Sequence, residues 1–137
     1  MREIEIAMAM ICQVDNYHLQ FRDGHRKIGA AGLVGCFGGK INLGEDPRET
    51  IARELSEETS LAFHPERFRH IDSISVVSDH NLEPVQIRAQ VFEILLPLKH
   101  QVDAKEGQLV TWTQEEIQMN ENRLTPATKA FFEGYFK

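Results

Sequence analysis

The sequence predicts a mixed α/β sandwich built as one domain over residues 1–137. Three observations carry this. Two pairs of β-rich segments are each separated by turn residues, a sharply marked helix start stands at Asp46–Pro47, and the chain closes on an aromatic-rich helical segment. Strands interleaved with two helices pack as layers, because each element has one apolar face to bury against another. A chain of 137 residues with 42% hydrophobic and 26% charged residues can build its own core. No internal repeat, low-complexity tract or composition shift marks a linker.

Glu3–Gln13 is rich in Ile, Ala and Met, and Tyr17–Phe21 follows the turn-like Asp15-Asn16, which predicts a first hairpin although alanine is a weak strand former. A glycine-rich passage runs from Gly29 to Gly39. The helix then starts with Asp46 as N-cap, Pro47 in the first helical position and Glu49 three residues after the cap, as in a capping box. At about 100° per residue, Ile51, Ala52 and Leu55 share one arc and Glu54, Glu57 and Glu58 an adjacent one. Arg69–Val77 and Val85–Leu96, β-branched and partly alternating on either side of Asp79–Pro84, predict a second hairpin. Val110–Thr113 adds a short strand, and Pro126–Phe136 a closing helix that turns Phe131, Phe132, Tyr135 and Phe136 inward.

Composition excludes several classes. With 21 acidic against 15 basic residues, a formal charge of −6 and no basic tract, the chain is not suited to long nucleic acid, which needs many phosphates neutralised by Lys and Arg. A small phosphate-bearing ligand bridged by a cation is compatible with this charge. Ile6–Cys12 is too short to span a bilayer, and Arg2, Glu3 and Glu5 are unlike a secretory leader, so no membrane partner is expected. Cys12 and Cys36 form neither a CxxC nor a Cys/His pattern, which argues against a disulfide framework or zinc site and for a reducing, cytoplasmic compartment. Cys36 reads as a small buried hydrophobe.

The chemistry concentrates in "GGKINLGEDPRETIARELSEET", Gly38–Thr59. Carboxylates three and four residues apart on a helix repel, at about 0.2–0.5 kcal/mol per pair. Read alone, such a run is a solvated face. Here, however, Glu54, Glu57 and Glu58 share one segment with Gly38-Gly39, Glu45 and Arg53. Hard divalent cations such as Mg²⁺ are commonly held by a few carboxylates together with substrate phosphates, and that would remove the repulsion.

From Gly39 the chain reads glycine, five residues, Glu45, seven residues, then Arg53-Glu54-Leu55-Ser56-Glu57-Glu58-Thr59-Ser60-Leu61. This resembles the signature of the Nudix hydrolase family, GX5EX7REUXEEXGU with U a bulky aliphatic. Every fixed position matches except Ser60, where the family has a glycine that is often left-handed at the helix end. Asn42 stands where many relatives carry glutamate. The resemblance implies an α/β/α sandwich with a mixed β-sheet between helices. It also implies hydrolysis of a nucleoside diphosphate linked to another group, with Mg²⁺ or Mn²⁺. Carried over by position, Glu54, Glu57, Glu58 and the Gly38 carbonyl would hold the metal, Arg53 would orient the carboxylates, and Glu45 would support the loop. Gly39 would lie against the substrate, and Glu54 or a loop carboxylate would take the proton from water.

Outside this segment, "KEGQ" at Lys105–Gln108 resembles a loop of MutT-type Nudix enzymes whose glutamate reaches the metals, making Glu106 a candidate base or ligand, with a plain turn residue as the alternative. "FRDGH" puts Arg22 where that group uses an arginine on phosphate, with an exposed hairpin arginine as the alternative. In "TPATKAF" the base-reading asparagine of that group is replaced by Thr128. Val76–Asp79 holds neither the proline nor the tyrosine that several other subgroups carry there. Trp112 and Phe37 read as packing residues, and the six histidines show no metal-pairing pattern. The expected activity is that of a nucleoside triphosphate pyrophosphohydrolase of MutT type. A nucleotide-sugar or dinucleotide pyrophosphatase is second, and a noncatalytic nucleotide-sensing domain is the reading from another class.

Overall fold

The computed structural model describes residues 1–22, 32–79 and 83–137. Parts of three segments fall outside the described residues: Asp23–His25 of "FRDGH", Gly29–Ala31 of the glycine-rich passage, and His80–Leu82 of the second turn.

β1 (Arg2–Gln13) and β2 (Asn16–Phe21) form the expected first hairpin, antiparallel with Ile11 opposite His18. Its turn places Val14 at φ 57°, the one non-glycine residue with positive φ among the described residues. β3 (Val34–Gly35) and β4 (Phe37–Lys40) follow, then α1 (Pro47–Glu58). β5 (Arg69–Ser78) and β6 (Val85–Leu96) form the second hairpin, with a register shift between His70 and Asp72. β7 (Gln108–Thr113) starts two residues before the expected strand and leads directly into α2 (Gln114–Met119), and α3 (Pro126–Tyr135) closes the chain.

The strands make one mixed sheet in the order β3-β2-β1-β6-β5, with β4 beside β1 and β7 beside β2. The parallel pair is β1 with β6, in register from Arg2–Val85 to Gln13–Leu96. Because side chains alternate along a strand, β1 feeds two cores. Ala7, Ala9 and Ile11 meet Ile51 and Leu55 of α1, whereas Met8 and Met10 join Phe131 and Phe132 of α3. The alanines that weaken the strand signal are therefore the small residues beneath α1.

α2 is an addition to the two expected helices. Its start was written in the sequence as Thr113-x-x-Glu116: the Thr113 hydroxyl accepts from Glu116 N at 3.2 Å, and Thr113 N donates to Glu116 Oε1 at 3.0 Å. In α3, Phe131 and Phe132 are buried, but Tyr135 is 42% exposed and lies at the rim, stacked on Phe131 at 5.3 Å. Trp112 is half-buried with the Arg123 guanidinium 5.6 Å from its ring, a packing role as expected. Among the described residues no helix is long and apolar enough to cross a membrane.

Candidate active site

The α1 start forms as read from the sequence. Asp46 Oδ1 accepts from Arg48 N at 2.8 Å, and Asp46 N donates to Glu49 Oε1 at 3.0 Å. With Ile51 and Leu55 driven into the core, the adjacent arc turns Glu54 and Glu58 toward β4. Here Gly38 and Gly39 are required by close approach. A Cβ on Gly38 would lie 2.1 Å from the Ala7 carbonyl oxygen, and one on Gly39 would lie 2.4 Å from the Glu54 carboxyl carbon.

Arg53 gathers the acids. Its Nε and Nη2 donate to Glu45 Oε2 and Oε1, both at 3.0 Å, and its Nη1 donates to Glu54 Oε1 at 2.9 Å. The same Nη1 lies 3.5 Å from Glu57 Oε1. Glu45 also accepts from the Thr50 hydroxyl at 2.7 Å and from Asn42 N at 3.2 Å, so Asn42 serves the turn that holds Glu45. The Arg53 hydrogen bonds, followed by that of Thr50, pull the Glu45 carboxyl down to about 2. Glu45 thus braces the Arg53 guanidinium.

Glu58 is only 5% exposed, and its Oε1 accepts from Gly38 N at 3.0 Å. Burial first, and then the charge of Glu54, push its carboxyl up to about 8; Glu106 acts in the same direction, while the Gly38 N–H and Arg22 oppose it. Glu54, Glu58, Glu106 and Arg22 therefore share one electrostatic neighbourhood. Arg22 directly follows β2 and is half-buried, with its amide donating to Leu33 O at 2.8 Å.

Glu106 reaches this neighbourhood because residues 103–107 dock on the end of α1. Lys105 N and Glu106 N donate to Glu58 O at 2.7 and 3.3 Å, and Thr59 bridges Ala104. Gln20 of β2 donates from Nε2 to Glu106 O at 3.1 Å. The left-handed residue in this region is Gly107, φ 65°, whose missing Cβ would lie 2.4 Å from Phe21 O. Ser60 has no positive φ, and α1 instead ends on an extended Thr59 at φ −139°, ψ 175°. Thr50, Gln20 and Lys105 were not singled out in the sequence. Only their tertiary partners mark them.

Thr128 does not join this set. Its hydroxyl is buried, accepts from Cys36 N at 2.9 Å and pairs with the Thr125 hydroxyl at 2.9 Å, which seats α3 on β3 and β4. Cys36 is buried, its thiol pushed up to about 12, in keeping with a small hydrophobe. Phe37 is core, packed with the α1 residues.

Among the described residues no three acidic or other metal-binding side chains converge into a ready-formed cation cage. Arg53 holds oxygens of Glu54 and Glu57 that a cation would otherwise take. The donor set nonetheless fits a hard divalent ion: all-oxygen ligands, and a buried Glu58 carboxylate crowded by Glu54 and Glu106. A mixed sheet between helices, with a Gly-Gly strand and an arginine-braced acidic helix, defines a hydrolase of the Nudix type.

The model of the NUDIX domain matches residues 7–132, and the chain belongs to this family; it is a pyrophosphohydrolase. The fold is shared with a MutT protein from Methanosarcina mazei Go1, at 25% identity and TM-score 0.73, covering 98% of this chain and 93% of that one. A MutT NUDIX hydrolase from Burkholderia pseudomallei matches at 19% identity and TM-score 0.71, covering 97% and 98%. The chain also matches 38% of a bifunctional NMN adenylyltransferase/ADP ribose pyrophosphatase from Francisella tularensis, complexed with AMP and a manganese ion. That match covers 92% of this chain at 15% identity and TM-score 0.69. No curated protein matches the chain.

Proposed function

We propose that the protein hydrolyses the pyrophosphate bond of a nucleoside diphosphate linked to another group, with Mg²⁺ or Mn²⁺, in a reducing cytoplasm. The favoured substrate is a nucleoside triphosphate, in the MutT manner. The observation that carries the reading is the buried Glu58 carboxylate, set against Glu54 and Glu106 with its Oε1 on the Gly38 amide. Such crowding suits a site completed by a divalent ion and phosphate oxygens.

Glu54, Glu57, Glu58 and the Gly38 carbonyl would hold the cation. When bound, it would supply Lewis acidity toward the phosphate oxygens and the attacking water. Arg53, fixed by Glu45, keeps Glu54 and Glu57 oriented. Arg22 binds a phosphate, and Gly39 lies against the diphosphate with the Glu54 carboxylate seated where a Cβ would otherwise stand. The water oxygen bonds to phosphorus as the bridging P–O bond breaks, and the water's proton passes to Glu106 or Glu54. A nucleotide sugar, the class of the ADP-ribose named for the Francisella protein, or a dinucleotide is the second choice.

The test is phosphate or pyrophosphate release from a panel of nucleoside triphosphates, nucleotide sugars and dinucleotides, with and without Mg²⁺. Glu57→Gln should leave the fold intact and lower turnover at least about a hundredfold. Wild-type activity in that variant overturns the assignment. Binding without turnover across the whole panel points instead to a nucleotide sensor.

A further inference from the structure

We infer that Ser60 and Gln20 are positioning residues that fix Glu106 beside the α1 carboxylates, an inference that rests on the proposed role of Glu106 in proton transfer or metal binding. Both peptide groups flanking the Glu106 Cα are held. Its N–H meets the Glu58 carbonyl at 3.3 Å, and its C=O accepts from the buried Gln20 amide at 3.1 Å. Gln20 is a polar side chain inside the sheet, and its Nε2 donates to this loop carbonyl. At the other end of the loop, Ser60 and Asp103 bond reciprocally: Ser60 N donates to Asp103 O and Asp103 N donates to Ser60 Oγ, each at 2.9 Å.

The first of these two bonds would survive any residue except proline at position 60. The second needs a hydroxyl, which the family's glycine lacks. The one departure of this chain from the Nudix signature therefore adds a tie between the metal-helix end and the loop bearing Glu106. Lys105 Nζ on the Ser56 carbonyl at 3.2 Å adds a third tie between the same two segments. Together they hold Glu106 from α1 on one side and β2 on the other. That matters because small displacements of a catalytic group are costly in rate.

The experiment is a set of double-mutant cycles. Ser60→Ala, Ser60→Gly and Gln20→Leu are each made alone and with Glu106→Gln. They are assayed on dGTP, or on whichever panel compound is turned over fastest, with melting temperature measured alongside. Losing the exposed Ser60 hydroxyl should lower kcat roughly two- to fivefold with KM unchanged. Ser60→Thr should restore it, Gln20→Leu should cost more, and all these losses should vanish in the Glu106→Gln background. Losses that persist there, or that fall on KM, overturn the inference while leaving Glu106 its role. Full activity of Glu106→Gln itself overturns that role and this inference with it. Should Gln20→Leu fail to fold, the Ser60 cycle alone decides.

Discussion

Glu54 lies flat against Gly39, so close that a methyl group on the glycine would stand 2.4 Å from the carboxyl carbon and 2.5 and 2.7 Å from its oxygens. The obstructing atoms are the far end of a flexible side chain. Gly39→Ala should therefore be accommodated by swinging the carboxylate away, with little loss of stability. Displacing it also breaks the 2.9 Å bond to Arg53 Nη1 and moves a proposed ligand. We expect kcat/KM to fall at least about tenfold, with the melting temperature nearly unchanged. A variant that unfolds early, or one of normal activity, contradicts this geometry.

The neighbouring glycine should behave in the opposite way. A Cβ on Gly38 would meet backbone, 2.1 Å from Ala7 O and 2.8 Å from Met8 Cα, in the middle of the β1–β4 pair. Backbone inside a sheet cannot step aside. Gly38→Ala should cost stability at the upper end of overpacking penalties, about 3 kcal/mol, measured as a lowered urea midpoint. Its activity loss should follow the unfolded fraction and the displaced Glu58.

What could be read from the sequence was whatever depends on near neighbours. The Asp46–Glu49 cap, both hairpins and the spacing of Arg53, Glu54, Glu57 and Glu58 are local patterns, and the structure reproduces them. The parallel pairing of β1 with β6 joins residues over eighty positions apart and leaves no periodic trace in either strand. For the same reason the burial of Glu58 beneath residues 103–107 could not be seen, nor the service of Gln20 to that loop. Thr128 is a further case: its place after Pro126-Ala127 suggested a ligand contact, and the structure adds that its buried hydroxyl accepts from Cys36 N and from the Thr125 hydroxyl, long-range and local bonds that its position in the motif did not disclose. Ser60 stands where the family's glycine is often left-handed, which put the helix-end geometry in question. The chain avoids the issue by ending α1 in extended geometry and pairing it with Asp103 and Ala104.

Burying Glu58 among acids has a measurable consequence. In the absence of metal, Glu58→Gln removes a carboxyl that must either take up a proton on folding or be buried charged against Glu54 and Glu106, while the amide oxygen can still accept from Gly38 N. The metal-free variant should be at least as stable as the wild type at neutral pH. Millimolar Mn²⁺ or Mg²⁺ should raise the melting temperature of the wild type, since a ligand bound only by the folded state stabilises it. That rise should largely disappear in the variant. An equal rise in both proteins would remove Glu58 from the ligand set.

His18 supplies a separate pH test. Its Nε2 lies 2.8 Å from Gln13 Oε1 and its Nδ1 lies 2.9 Å from the Thr111 hydroxyl. Gln13 spends its amide N–H groups on Pro97 O and His100 O at 2.8 and 2.7 Å, so its oxygen must accept and His18 Nε2 must donate. In the neutral ring Nδ1 is left to accept from the Thr111 hydroxyl, and burial favours that form by lowering the pKa below the ordinary 6.5. Because the folded state binds this proton less readily than the unfolded chain, stability from this source is complete above 6.5 and is lost as the pH falls through the lowered value. Urea midpoints measured from pH 8 to about pH 5 should fall more steeply for the wild type than for His18→Gln. Carboxylate titration is common to the two proteins and cancels in the comparison. Parallel curves would mean that His18 titrates alike in the folded and unfolded chain, and a steeper fall for the variant would mean that the folded protein holds this histidine charged.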